Sequence, residues 1–265
     1  MSALPAFPLA IERDAFAWRD ASNRIAFMPA IRSLAQLFVC ACLSFNLVSL
    51  SYAAALPPAL QGELDRSVLA YEKGQLKAAR RGFENLSRRG VAAADFNLAV
   101  MHLRGEMPAS SQAIAQALLL RAAQAQFVTA QFMLGQALQT GRFGPPDLPQ
   151  ANRWFALAAT GGSVEAQVAI ATAHYLGRGT PQDYVAAARW YREAATSGDI
   201  GAQYLLASMY EHGDGLPRDL RLARYWYAVA AGNGDDAAPG KLKEIDAALA
   251  SSSAAAPASP ATARP

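Results

Sequence analysis

Apolar and small residues along this chain return in two alternating helical rhythms, and from Ala130 to Gly234 that alternation recurs without an insertion. In one such stretch Ala166, Ile170, Ala173 and Gly177 follow a 3.6-residue period, and Ala187, Trp190, Tyr191, Ala194 and Ala195 then do the same. Between the two runs lies Gly177-Arg-Gly-Thr-Pro-Gln-Asp183. Its glycines permit left-handed backbone, its proline stops helix propagation, and its aspartate is placed to cap the next helix. The pattern predicts helix, turn, helix.

The pattern is also periodic at a longer range. Trp154, Trp190 and Trp226 are 36 residues apart, as are Ala130-Gln131, Ala166-Gln167 and Ala202-Gln203. The same offset links Gly141, Gly177 and Gly213, then Pro145, Pro181 and Pro217, then Asp147, Asp183 and Asp219. It also links Ala158-Ala159, Ala194-Ala195 and Ala230-Ala231. A fixed period of this size marks a solenoid array, because one helix pair cannot bury its own apolar faces and must be stacked. The column Ala99, Gly135, Ala171, Ala207 is small throughout, as a close crossing of the two helices of one unit requires. The tryptophan column is large enough to fill the gap between units.

These columns resemble the Sel1-like repeat family, a longer-looped relative of the tetratricopeptide repeat. The family pattern is matched by Ala202, Leu206, Ala207, Tyr210, Gly213, Gly215, Asp219, Trp226, Tyr227, Ala230 and Ala231. Ala166, Ile170, Ala171, His174, Gly177, Gly179, Asp183, Trp190 and Tyr191 match it in the preceding unit. The unit before that departs at Phe143, where a second loop glycine belongs, and at Phe155, where tyrosine is usual, so a different turn of the same length is expected there. The resemblance implies an all-α fold, a right-handed superhelical α-α solenoid, with adaptor roles in envelope complexes, signalling or cell-surface assembly. Some members carry a disulfide in every repeat and are associated with penicillin binding; the cysteines for that are missing here.

The register divides the chain into units. Residues 58–93 resemble a tetratricopeptide unit and form an N-terminal cap, with Leu64, Val68, Leu69 and Tyr71 before Gly74, and Leu76, Ala79, Phe83 and Leu86 before Gly90. Residues 94–129 are a degenerate Sel1-like repeat in which Leu118-Leu119 replaces the Trp-aromatic pair and Ser111 replaces the loop aspartate, still a capping residue. Repeats follow at 130–165, 166–201 and 202–237. A capping helix over 238–250, carrying Leu242, Ile245 and Leu249, covers the last apolar face. The Ala/Ser/Pro tail at 251–265 cannot offset its ordering entropy and is expected to be disordered.

Ahead of the repeats, Ser33 to Gln61 contains no charge. Arginine precedes an apolar centre, and small residues near Ala53–Ala55 offer a cleavage site, so residues 1–55 read as an N-terminal extension plus a secretory signal peptide. Translation from Met28 would give the signal an ordinary short basic region. The alternative is an uncleaved anchor, since the run is long enough to span a bilayer. Lipidation at Cys42 is a weaker reading, because Val39-Cys40-Ala41 only partly resembles a lipobox. Either main reading puts the repeats outside the cytoplasm, in the periplasm or secreted. Both cysteines, Cys40 and Cys42, lie in that segment, leaving the remainder without disulfides.

Charge excludes one class of partner. Residues 56–265 carry 20 basic and 18 acidic side chains, too balanced for nucleic acid. Arg80, Arg81, Arg88 and Arg89 cluster; a solvated helix face is the first reading, with an acidic partner or anionic lipid headgroups as the alternative. His102, His174 and His212 are single and widely spaced, so neither a metal nor a cofactor is expected. Gly177-Arg-Gly179 and Gly213-Asp-Gly215 recur with the repeat and read as turns rather than phosphate cradles. A cell-wall hydrolase on this scaffold would need a carboxylate or histidine pair in the groove, and Glu211 beside His212 is all that offers.

What remains is a surface. By the tetratricopeptide analogy the first helix of each unit lines a concave groove. Its i, i+4, i+7 stripe reads Phe96, Val100, Leu103; Phe132, Gln136, Gln139; Val168, Thr172, Tyr175; and Tyr204, Ser208, Glu211. The second and third members vary while the scaffold columns stay fixed, and aromatics beside polar groups suit peptide recognition. Phe96, Phe132 and Tyr204 could equally be core between repeats. The expectation is a non-enzymatic, monomeric, exported scaffold that binds a peptide or partner protein, with a membrane contact only if the leader stays uncleaved.

Overall fold

The computed structural model describes residues 56–254. The expected extension, the start at Met28 and the cleavage near Ala53–Ala55 lie outside the described residues. So do residues 255–265 of the tail. Every element described is an α-helix: α1 (Pro58–Glu72), α2 (Leu76–Arg88), α3 (Ala92–Leu103), α4 (Gln112–Gln124), α5 (Val128–Thr140), α6 (Leu148–Thr160), α7 (Val164–Leu176), α8 (Tyr184–Thr196), α9 (Ile200–His212), α10 (Leu220–Gly232) and α11 (Ala238–Ala254). Each packs chiefly on the helix before it and the helix after it, which is the connectivity of an α-α solenoid. None of the described helices is long and apolar enough to cross a membrane.

Local chemistry sets the helix ends. Ser111, Asp147, Asp183 and Asp219 each accept a backbone N–H of the first turn of the following helix, from Ile114, Gln150, Ala186 and Leu222 respectively. Ser163 and Asp199 cap the first helices α7 and α9 in the same way, through Ala166 and Ala202. At α3 and α5 the capping position holds Val91 and Phe127, which pack into the core instead. All four first helices therefore open two residues ahead of the Ala-Gln register column. Gly141, Gly177 and Gly213 close α5, α7 and α9 in the left-handed conformation expected of them.

The second loop glycine does more than turn the chain. A Cβ on Gly215 would lie 2.3 Å from the backbone of Tyr184, and one on Gly179 would lie 2.5 Å from Leu148. The loop of each unit thus rests on the start of the second helix of the unit before it. Phe143 replaces this glycine without entering the left-handed region, and its ring joins the cluster around Phe96 and Leu119. The different turn expected there is found.

Buried apolar side chains form successive clusters along the stack. The N-terminal one holds Leu64, Phe83 and Leu86; the last runs from Ala171 to Ile245 and takes in Leu242 and Leu249 of α11. Trp154 packs against the cluster around Leu134, and Trp190 contributes to the clusters on both sides of it, so the tryptophans do fill the seams. Two expectations need correction. Leu69 is 47% exposed, because α1 turns Leu64, Ser67 and Tyr71 inward and sets Ser67 against Gly82. Helix α11 continues to Ala254, four residues past its expected end, since Ala and Ser offer no helix breaker before Pro257.

Candidate functional site

The first helices bury a wider arc than the sequence pattern suggests. In α5, Ala130, Gln131, Leu134, Gly135 and Ala137 are all buried, because α5 touches its own partner α6 and the preceding α4. The stripe that remains outward is Thr129, half-buried Met133, Gln136 and Thr140, with Gln139 exposed at its edge. Its counterparts are Ala93, Asn97 and Val100 on α3 with Arg104 just past its end; Glu165, Ala169, Thr172 and Leu176 on α7; and Gly201, Leu205, Ser208 and His212 on α9. Of the expected stripe, the middle members Val100, Gln136, Thr172 and Ser208 fall on this face, and the first and third members lie one position to its side.

That offset decides the fate of most of the first and third members. Phe96 is only 6% exposed, its ring 5.4 Å from Phe127, so it belongs to the core and not to a groove surface. Phe132 lies 5.7 Å from Phe155, and Tyr204 lies 5.1 Å from Tyr227, both wedged between the helices of one unit. Val168 and Tyr175 pack on the cluster that holds Tyr191, and Val100 packs on the one that holds Leu119. Leu103 is half-buried.

The polar members divide by unit. Thr172 Oγ1 and Tyr191 OH are hydrogen-bonded at 2.9 Å. Tyr227 OH donates to Glu211 Oε2 at 2.7 Å, and Lys241 Nζ holds the other carboxylate oxygen at 3.4 Å. Tyr175 OH donates to Asp214 at 3.3 Å. Burial is the main cause that pushes the phenols of Tyr175, Tyr191 and Tyr227 above their ordinary range, and carboxylates near Tyr175 and Tyr227 add to it. In the unit of α5 and α6 the tyrosine column holds Phe155, which has no hydroxyl to satisfy and whose ring lies against Gly135. Gln136 and Gln139 are exposed there, and their carboxamides make no hydrogen bond to the described chain. Variation down these columns thus follows, in part, the hydroxyl on the facing helix.

A second polar column holds the units together. Gln131, Gln167 and Gln203 are buried and donate through Nε2 to the carbonyls of Ala123, Ala159 and Ala195, each on the preceding second helix. In the first repeat the column holds Asp95, 2% exposed, which accepts from Arg121 Nε at 2.5 Å; Arg121 also reaches Ser87 Oγ. The Ala-Gln columns were visible in the sequence, but nothing in the spacing told that glutamine bridges units.

No catalytic grouping emerges among the described side chains. His102 Nδ1 accepts from the Ser111 amide at 3.3 Å, and burial lowers its basicity. His212 Nδ1 lies 2.8 Å from the Ser208 carbonyl, an acceptor only, so this nitrogen carries the proton and cannot activate Ser208 Oγ. Glu211 is committed to Tyr227 and Lys241. The loop amides of Arg178 and Asp214 donate to Ala173 and Met209 carbonyls, which closes the anion cradle with the chain's own oxygens. The described residues hold no group of three His, Cys, Asp or Glu side chains suited to a metal ion.

The family model for the Sel1 repeat matches residues 92–127, 128–163, 164–199 and 200–235. A protective antigen present in uropathogenic Escherichia coli strains, displaying an SLR fold, is similar over 72% of this chain, at 27% identity and a TM-score of 0.65. The chain spans 42% of that antigen's length. A Sel1 repeat protein from Oxalobacter formigenes is similar over 72% of this chain and 81% of its own, also at 27% identity, with a TM-score of 0.60. Among curated proteins none matches.

Proposed function

The chain belongs to the Sel1 repeat family, whose members mediate protein–protein interaction on a generally non-catalytic scaffold, and from that premise we propose that it is an exported adaptor. An extended peptide segment of a partner protein lies across the open faces of the first helices, centred on Gln136 and Gln139. The observation that carries this reading is the contrast within the variable columns. Thr172, Tyr175 and Glu211 are spent on internal hydrogen bonds, whereas the two glutamines present free donors and acceptors to solvent. A carboxamide pairs with a peptide unit through both its N–H and its C=O, which suits main-chain recognition. Met133 and Val100, half-buried on the same stripe, offer apolar contact beside them.

Export rests on the uncharged run from Ser33 to Gln61, with arginine before it and small residues near its end. If that run is retained, the protein is a membrane-tethered regulator with the same binding face. Affinity capture from envelope extract tests the binding reading, with the wild-type chain and the Gln136→Ala/Gln139→Ala variant as baits. The expected result is a protein retained by the first and lost by the second at equal thermal midpoint. A partner held equally by both, or none held by folded bait, removes the reading.

A further inference from the structure

Two columns of the repeat carry arginine in the central units and other residues at the ends. The loop column reads Glu106, Arg142, Arg178, Asp214, and a second-helix column reads Ala117, Arg153, Arg189, Tyr225. At the ends the loop residue has a structural duty: Glu106 accepts from Tyr71 OH at 2.8 Å, and Asp214 accepts from Tyr175 OH. The four arginines have none of this kind. All are exposed, and no salt bridge among the described residues involves them; Arg189 lies 5.1 Å over the Trp190 ring and faces no carboxylate at bonding distance.

Backbone contacts seat the two loop arginines on second helices, and the repeat register continues the row to Arg189. Asn152 Nδ2 donates to the Arg178 carbonyl at 2.7 Å, which seats the loop of one unit beside Arg153 on the second helix of the unit before. Gln112 bonds the Arg142 carbonyl, which seats the preceding loop on α4. The acids nearby are engaged or unpaired with the row. Asp147 and Asp183 cap α6 and α8, Glu165 accepts from Ser163, and Glu193, one turn beyond Arg189, makes no ion pair with it.

We propose that this arginine row is a second docking surface, which takes an extended acidic segment of a partner protein with its carboxylates spaced along the chain. The arginines recur once per 36-residue unit along the stack, so carboxylates spread along an extended segment meet more of them than clustered ones do. Arginine forks pair with carboxylates through two parallel hydrogen bonds, a geometry lysine does not offer. The row spans only two units, and the chain as a whole is nearly neutral, which favours a short acidic peptide over a nucleic acid. The surface goes beyond the proposed peptide face and uses none of its residues.

Fluorescence anisotropy tests it on the full chain, with a labelled peptide of repeating Glu-Ser-Gly as probe at about 0.15 M salt. Arg142→Ser/Arg153→Ser/Arg178→Ser/Arg189→Ser is expected to weaken binding about tenfold or more, while Arg66→Ser/Lys77→Ser/Arg81→Ser/Arg88→Ser, with the same loss of charge, changes it less than about twofold. A peptide of equal charge with its glutamates gathered at one end should bind more weakly. Equal loss in the two variants, equal affinity for the two peptides, or no binding of either overturns the proposal. Tighter binding of a short RNA than of the acidic peptide overturns it as well. Gln136→Ala/Gln139→Ala should leave this affinity unchanged, so failure here and failure of the peptide face are separable.

Discussion

The unit of α5 and α6 and the unit of α9 and α10 are built on the same columns, yet one leaves its variable polar residues free and the other uses them up. In the later unit Tyr227 buries a hydroxyl that Glu211 must satisfy, and Lys241 of the capping helix then neutralises Glu211. In the earlier unit Phe155 asks for nothing, and Gln136 and Gln139 remain at the surface. A position that varies across repeats is therefore not automatically a recognition position. It becomes a candidate only once the facing helix has been checked for a polar group that accounts for it.

The largest expected effect lies at the seam between units. Gly215→Ala would place a methyl 2.3 Å from the Tyr184 backbone at a φ of +68°, and should cost about 3 kcal/mol or more of stability in denaturant unfolding. Phe143→Ala, at the same column of the earlier unit, meets no such backbone contact and should cost less, through lost ring burial alone. Equal losses would refute the assignment of the glycine to unit stacking.

Next comes the buried pair. Arg121→Ala strands the carboxylate of Asp95 and should cost about 2–3 kcal/mol, less than a fully buried pair because Arg121 is largely exposed. Adding Asp95→Gln restores the column residue of the other repeats and should recover about 1 kcal/mol or more. No recovery in the double variant would show that glutamine and aspartate do not share a role.

The tyrosine contrast itself can be exchanged. Tyr227→Phe removes the donor to a half-buried carboxylate and should cost about 1–2 kcal/mol, whereas Phe155→Tyr should change stability by less than about 1 kcal/mol. The same phenols give a pH dependence. Tyr71, Tyr175, Tyr191 and Tyr227 are all raised on folding, so their contribution is complete below pH 10 and is lost as pH rises past it. Chemical denaturation followed across that range should show falling stability, with a shallower fall in Tyr191→Phe/Tyr227→Phe.

The smallest effect distinguishes the first repeat from its neighbours. Gln126 has a φ of +62° at a column that elsewhere holds Gly90, Gly162, Gly198 and Gly234, all with positive φ. Gln126→Gly should raise stability by about 1 kcal/mol. An unchanged or lowered midpoint would mean that the glutamine side chain offsets its backbone strain.

Much of this fold was legible because each repeat supplies a check on the others. Helix pairs, capping aspartates, left-handed glycines and the α11 cap with Ile245 follow from spacing and turn chemistry that recur in register. The burial at the flanks of the exposed stripe did not, because a helix that touches two neighbours buries a wider arc than one amphipathic period reveals. The buried status of Phe96 depends on Phe127, a residue 31 positions away that no single-helix pattern connects to it. The role of Gln131 was hidden for the same reason: its acceptor belongs to the previous unit.

The most direct test of the peptide face is site-specific photocrosslinking in living cells, with a benzophenone amino acid in place of Gln136 and, separately, in place of exposed Tyr225 on the second helix of the last repeat. A discrete crosslinked partner at the first position, absent from the second, is the expected result. A partner captured only at the second position, or the same products at both, would contradict the placement of recognition on the first helices.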